Sequence, residues 1–281
     1  MGYALELKGL CKHYGDFSLN HIDFSLPTGC IMGLIGENGA GKSTTIKLIL
    51  DLIKKDSGKI RLFGQDSTNV PPHLKEQIGV VLDQSSFPET LSANQINKVL
   101  KKVYHTWEEK KFLTMVQKFQ IPFKKQVKDY SKGMKMKLSI AVALSHNTKL
   151  LILDEATSGI DPVVRDELLD LFLEFIQDDS HSILMSSHII GDLEKVCDYI
   201  TFIHHGKMIF SESKDDLLEQ YRIVKCSVAE LKQIDANAIC GKRENQFGVE
   251  ALVKANKIPR GFLADPANIE DIMLFTIRGE Q

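Results

Sequence analysis

The chain has 281 residues, long for one ordinary domain and short for two, which leaves room for a main domain with an appendage. With 43% apolar and 26% charged residues it sits near the average for folded, water-soluble proteins and away from disordered or collagen-like chains. Lysine and arginine total 35 against 37 aspartates and glutamates, so at a formal charge of −2 no global positive field exists to draw in nucleic acid.

The first ten residues place Glu6 and Lys8 in an alternating apolar pattern, which excludes a secretory signal. Glu6 also stands where a myristoylation motif wants Ser or Thr. Residues 5–7 are strand-like, and Gly15 turns a first hairpin beside Tyr14. Cys11, Cys30, Cys197, Cys226 and Cys240 are scattered with no C-x-x-C pair, which fits a reducing compartment better than a disulfide framework or a zinc site.

An apolar run at 30–35 leads into Gly36-Glu37-Asn38-Gly39-Ala40-Gly41-Lys42-Ser43, followed by a helix-like segment at 42–54. The octet matches the phosphate-binding pattern GxxxxGK[ST] in its required setting, after a strand and before a helix. Glycines let the backbone wrap close to a phosphate, and the helix N-terminus adds positive potential. Lys42 is expected to bridge the β- and γ-phosphates, Ser43 to offer a hydroxyl to Mg²⁺, and Thr44 to reach another phosphate oxygen. A nucleoside triphosphate is the ligand class.

Between 87 and 147 the pattern turns helical: Ile96, Val99, Leu100 and Val103, then Phe112, Met115, Val116 and Phe119, recur at i, i+3, i+4, i+7. Lys132, Lys135 and Lys137 fall in the first turns of a further helix, where the dipole disfavours cations, so an anionic group is expected to compensate. Residues 150–153 and 182–185 read as buried parallel strands, with 163–177 as the crossover helix. Neither run approaches the roughly 18 apolar residues of a membrane span.

Asp154, at the carboxyl end of the first of these strands, is a candidate Mg²⁺ partner, and Glu155 beside it can polarise an attacking water. Asp161 can cap the crossover helix, with Pro162 at its first position. Residues 199–211, centred on Gly206, form a hairpin that closes the main domain, which ends near Tyr221. Asp265 and Pro266 repeat the cap-plus-proline start, predicting a last helix with Ile269, Ile272, Met273 and Thr276 on one face up to Gly279.

Taken in order, the phosphate loop, Tyr130-Ser131-Lys132-Gly133-Met134 and Asp154-Glu155 resemble the ATP-binding subunit of an ABC transporter. The resemblance runs from about residue 5 to 211 and takes in Gln84, like the family's Q-loop glutamine, the stretch Ser158-Gly159-Ile160-Asp161, like its D-loop, and His188, like its switch histidine. It implies an α/β P-loop NTPase fold of the ABC ATPase kind in residues 1–221. Within it come an inserted α-helical subdomain at about 87–147 and an antiparallel β subdomain, with a small C-terminal extension at 222–281.

The family's five-residue signature, usually LSGGQ, contacts the γ-phosphate of ATP held by a second subunit. By similarity Ser131 and Gly133 take that role, with Tyr130, Lys132 and Met134 as departures. Similar Ser-Lys-Gly signatures occur in bacterial type-two exporters of peptides and antibiotics, including phenol-soluble modulins. Nucleotide contacts are implied for Tyr14 as the adenine-stacking aromatic, with His13 its nearest competitor. They are implied too for Gly36, Asn38, Gly39, Ala40, Gly41, Lys42, Ser43, Thr44, Gln84, Ser131, Gly133, Asp161 and His188.

Catalysis would rest on Glu155, His188, Gln84 and Lys42, and Mg²⁺ on Ser43, Gln84 and Asp154. Lys132 is expected near the partner's triphosphate. Thr157, Phe63 and Phe87 read as packing residues. The implied partners are a second cassette, identical or related, and a transmembrane permease, with ATP and Mg²⁺ as ligands. The implied location is cytoplasmic, peripheral at the inner face of the cell membrane. Two alternatives stand beside this: a soluble ABC ATPase acting on nucleic acid or ribosomes, and a P-loop kinase.

Overall fold

A computed structural model of the chain describes residues 2–83 and 87–279. β1 (Tyr3–Tyr14) and β2 (Phe17–Pro27) form a long hairpin, followed by β3 (Ile31–Ile35) and α1 (Lys42–Ile49). The helix stops short of the expected residue 54 because Leu50 caps it and Asp51 turns left-handed at φ 55°. β4 (Ser57–Leu62), β5 (Gln65–Asp66), the single turn α2 (Pro72–Lys75) and β6 (Ile78–Val81) come next.

The helical insert supplies α3 (Ala93–Val103), α4 (Glu109–Lys118) and α5 (Lys132–Ala143). β7 (Leu150–Asp154), α6 (Pro162–Phe175), β8 (Ser182–Ser186), α7 (Ile190–Val196), β9 (Tyr199–His204) and β10 (Lys207–Ser213) complete the main unit. α6 starts where the sequence places it: the Asp161 carboxylate accepts from the Val163 N–H at 2.9 Å and Pro162 occupies the first turn.

One ten-stranded sheet runs in the order β5-β4-β1-β2-β10-β9-β3-β8-β7-β6. Strands β9, β3, β8, β7 and β6 are mutually parallel, whereas β5, β4, β1 and β2 are antiparallel. Of these, β3, β7 and β8 are buried on both faces and feed two cores by simple alternation. Ile31, Ile35, Leu151, Leu153, Ile183 and Met185 face the core under the helical insert. Met32, Leu34, Leu150, Ile152 and Leu184 face the core shared with α1 and the antiparallel strands. Each such side chain contributes about 1.5–3 kcal/mol when fully buried, so the strands that end at the site are held from both sides.

On α4 the stripe with helical spacing is buried, with Phe112, Met115, Val116 and Phe119 all in the core. On α3 only half of the stripe is covered: Ile96 is buried and Leu100 packs partly, while Val99 and Val103 are exposed at 49% and 61%. The expected compensation for the three lysines of α5 comes from within the chain. Lys132 pairs with Asp83 at 3.9 Å, Lys135 with Glu89 at 3.1 Å and Lys137 with Glu167 at 2.7 Å.

After α8 (Lys214–Gln220) the chain builds a second, four-stranded sheet from β11 (Tyr221–Cys226), β12 (Ile239–Asn245), β13 (Gly248–Lys254) and β14 (Ala264–Pro266), with the single turn α9 (Val228–Leu231) before β12. Asp265 and Pro266 do not open the final helix, contrary to the sequence pattern. They lie in edge strand β14, paired with Ile223 and Arg222, where a proline is tolerated and Lys225 takes the Asp265 carboxylate at 2.8 Å.

The cap belongs to Asn268. Its side chain accepts from the Asp271 N–H at 2.7 Å while the Asp271 carboxylate accepts from the Asn268 N–H at 3.2 Å, starting α10 (Ile269–Gly279). Ile269, Ile272 and Phe275 of α10 join the main core. The Ile269 N–H donates to the Glu194 carboxylate of α7 at 2.6 Å, so the last helix docks on α7. All five cysteines are free thiols, and burial pushes the Cys197 thiol well above its ordinary range, leaving it inert. Among the described residues no helix is long and apolar enough to cross a membrane.

Candidate functional site

The loop after β3 has the backbone its glycines were expected to allow. Gly36 and Gly41 sit at φ 153° and 119°, and a Cβ on Gly36 would stand 2.2 Å from the Ile203 carbonyl oxygen of β9, so only glycine fits there. Gly41 precedes α1 and among the described residues no side chain caps that helix, which leaves the amides of its first turn for a ligand. Lys42 is 5% exposed, with its ammonium donating to the carbonyls of Gly36 at 2.7 Å and Glu37 at 3.2 Å. Ala40 is buried and its N–H closes the loop onto the Glu37 carbonyl at 3.1 Å.

β3, β8 and β7 are adjacent and parallel, so the residues at their carboxyl ends converge on one edge of the sheet, the usual place for a ligand in such folds. β3 delivers the phosphate loop, β7 delivers Asp154 and Glu155, and β8 delivers Ser186 ahead of His188. The Ser43 hydroxyl donates to Asp154 Oδ1 at 3.1 Å, and the Ser186 hydroxyl donates to the same oxygen at 2.6 Å. A hydroxyl beside a buried carboxylate is an all-oxygen donor set that suits Mg²⁺.

Neighbouring side chains of a strand point to opposite faces, yet Asp154 and Glu155 both serve this edge. The reason is the left-handed backbone at Glu155, φ 54°, which costs a non-glycine residue about 1–3 kcal/mol and swings its carboxylate round. The turn is held by the Glu155 N–H, which donates to the Ser186 carbonyl at 3.2 Å and to the Ser186 hydroxyl at 3.1 Å. Glu155 then meets His188 Nδ1 at 2.5 Å and the Lys42 ammonium at 3.7 Å.

Ser186 is buried and lies just beyond the strand expected at 182–185; its position level with Asp154 and Leu34 in the sheet gives it its task. Ser186→Ala is expected to destabilise the fold by about 1–3 kcal/mol, since it removes a donor from a buried carboxylate. A denaturant midpoint unchanged from the parent would show that this hydroxyl holds nothing in place.

Beside the buried Asp154 and Ser186 lies an open cleft of about 570 Å³ with Phe17, Glu37, Asn38, Gly39, Gly41, Lys42, Ser43, Thr44, Asp83, Glu155, Ser158 and His188 on its walls. The volume matches that of small-molecule sites. Phe17, absent from the sequence-based set, lies in register with Tyr14 across the turn of the first hairpin. Tyr14 itself is 43% exposed beneath the Lys12 ammonium, 5.2 Å from its ring centroid, and His13 is engaged with the Ser18 hydroxyl at 3.0 Å.

Ser131 caps α5, accepting from the Met134 N–H at 3.2 Å, and Gly133 faces Ile160 of the next loop; neither lines the cleft beside Lys42. Tyr130 is a packing residue whose hydroxyl donates to the Pro122 carbonyl at 2.6 Å. Lys132 leans over Gly159, with its ammonium 2.9 Å from where a Cβ would stand. Asp161 serves its helix cap, and Thr157 is fully buried. Phe63 and Phe87 pack against the two cores. Gln84 lies outside the described residues.

The ABC transporter family model matches residues 19–158. The lantibiotic transport ATP-binding protein SrtF of Streptococcus pyogenes is 35% identical over 214 residues, covering 75% of this chain and 91% of that relative. The chain belongs to the ABC transporter ATP-binding family. The bacitracin transport ATP-binding protein BcrA of Bacillus licheniformis is 34% identical over 226 residues, 79% of this chain and 74% of that one.

Among solved structures, an ATP-binding subunit of an ABC transporter, 29% identical, superposes with a TM-score of 0.71 over 77% of this chain and 92% of its own. The ten-stranded sheet with its helical insert is thus an ABC ATPase fold, and the protein is an ATP-binding, ATP-hydrolysing subunit of an ABC transporter. That assignment removes the P-loop kinase alternative.

Proposed function

We propose that this ABC cassette closes face to face with a second one, identical or related, around two ATP molecules, and that the closure powers export through a separate transmembrane permease. The observation that carries the reading is a separation within the chain. Lys42, Ser43, Glu155 and His188 line one cleft, with Asp154 hydrogen-bonded to Ser43 behind it, while Ser131 and Gly133 stand away from it on α5. Each chain would hold half of a composite site, and the hydroxyl of Ser131 and the first amides of α5 would complete the pocket of its neighbour.

Mg²⁺, when bound, would be held by Ser43 and Asp154, with Gln84 joining by resemblance, and would neutralise charge on the β- and γ-phosphates. Lys42 would leave the loop carbonyls for the γ-phosphate. Glu155 would accept a proton from water positioned for in-line attack, and His188, hydrogen-bonded to Glu155, would orient that water and the phosphate. Tyr14, with Phe17 beside it, would stack on the adenine, and Asp161 and Lys132 would border the facing subunit. Because ATP would touch both chains, it would favour the closed pair by its differential affinity, and loss of the γ-phosphate would release it.

The permease would dock on the helical insert, where Val99 and Val103 leave an apolar strip of α3 uncovered. This contact would place the cassette at the inner face of the cell membrane. Lantibiotic and bacitracin transport, the roles carried in the names of the two relatives, make an antibiotic-like cargo the first to test.

The test is the mass of the Glu155→Gln variant in solution. With saturating Mg·ATP it is expected to scatter light as a dimer of about twice 31.6 kDa and to return to monomer without nucleotide. A variant that stays monomeric with nucleotide, alone and with each cassette encoded beside it, would overturn the composite site.

A further inference from the structure

On the far side of the phosphate loop from Asp154, the turn between β9 and β10 carries two histidines, His204 and His205, against Glu37. One ligand atom from each of the three side chains lies within 4.8 Å of the others. His204 is buried at 7% exposure, with Nδ1 3.6 Å from a Glu37 carboxylate oxygen. Successive residues of a strand would send their rings to opposite faces, but His205 has left-handed backbone at φ 44°, and the two ring centroids stand only 4.1 Å apart. The strained turn therefore gathers two imidazoles and a carboxylate on one side.

We propose that Glu37, His204 and His205 form a binding site for a divalent transition-metal ion, with Zn²⁺ the ion of choice. Two imidazoles and a carboxylate with a fourth position open to water are a common Zn²⁺ donor set, whereas Mg²⁺ prefers an all-oxygen octahedron and would go to Ser43 and Asp154 instead. Ligand atoms about 2.0–2.2 Å from a tetrahedral ion stand roughly 3.3–3.6 Å from one another, so the cluster must contract by about 1 Å. Glu37 and His205 are exposed and can make that movement around the fixed, buried His204.

The site is built into the phosphate loop. The Gly206 N–H donates to the Ala40 carbonyl at 2.9 Å, the Asn20 N–H donates to the Gly206 carbonyl at 2.7 Å, and the Glu37 carbonyl accepts from Lys42 at 3.2 Å. An ion at Glu37 would therefore tie the second residue of the loop to the β9–β10 turn.

The experiment uses the nucleotide-free full chain and needs no activity. Co²⁺ titrated in is expected to give the d–d absorption of a tetrahedral nitrogen and oxygen site, displaced by Zn²⁺, with a single ion per chain by calorimetry. His205→Asn, which keeps a residue tolerant of left-handed backbone but loses the imidazole, and His204→Gln are each expected to weaken binding at least tenfold. Asp154→Asn is expected to leave it unchanged. Thermal unfolding without metal checks that both histidine variants are folded, and His205→Gly replaces His205→Asn if it is not. The proposal fails if the parent takes up no Co²⁺ or Zn²⁺ at millimolar concentration, or if the histidine variants bind as the parent does. It fails equally if the spectrum carries a thiolate-to-metal band, or if Asp154→Asn abolishes binding.

Discussion

Glu155→Gln is expected to slow ATP hydrolysis by about 10²–10⁴-fold while ATP binding stays near that of the parent, the range for loss of a positioned general base. The expectation follows from what surrounds the carboxylate. Glu155 lies in the cleft, hydrogen-bonded to His188 at 2.5 Å and facing Lys42 at 3.7 Å, and its backbone is fixed by two bonds to Ser186. Glutamine preserves the shape and one acceptor oxygen but cannot take a proton from water. Steady-state phosphate release beside equilibrium nucleotide binding separates the two effects. Hydrolysis at a near-parental rate would move the base elsewhere, with His188 the next group in line.

Lys42→Ala should act on both binding and turnover. We expect nucleotide affinity to fall at least tenfold and hydrolysis by about 10²–10³-fold, the loss found when one fixed cation or donor is taken from developing phosphoryl charge. The ammonium is 5% exposed and is held by the carbonyls of Gly36 and Glu37, so the side chain is already positioned at the mouth of α1. Removing it also takes a charged donor from both carbonyls, leaving that of Glu37 with only the Ala40 N–H, so thermal stability should be recorded beside affinity to separate a weakened loop from a lost phosphate contact. Parental affinity in the variant would mean that the backbone amides and helix terminus bind the phosphates unaided.

Most of this site was legible in the sequence because its chemistry is local. The phosphate loop and Asp154 with Glu155 are short segments at the ends of apolar runs, which strand periodicity places at strand ends, whereas His188 stands out only through the resemblance in motif order. What was not legible depends on strand order. Ser186 gains its role only because β8 lies between β3 and β7, which puts its hydroxyl under Asp154. Phe17 enters the cleft through the register of a hairpin whose other arm carries Tyr14.

The misassigned helix start has a similar origin. Asp265-Pro266 is a sound local signal for a cap, and it lost to a cross-strand partner, Lys225, that lies far away in the chain. The apolar stripe of α3 marks a helix by its spacing, yet Val99 and Val103 face outward, since helical spacing specifies a face without saying what covers it.

The docking of α10 has a mechanical consequence. Its apolar residues are continuous with the interior of the catalytic unit, and its first amide is fastened to Glu194 on α7, the helix that begins two residues after His188. The last sixty or so residues are therefore a keystone set against the back of the segment that carries His188, not a tethered passenger. Any signal that loosened this keystone would slacken the very stretch of chain that carries His188 into the cleft.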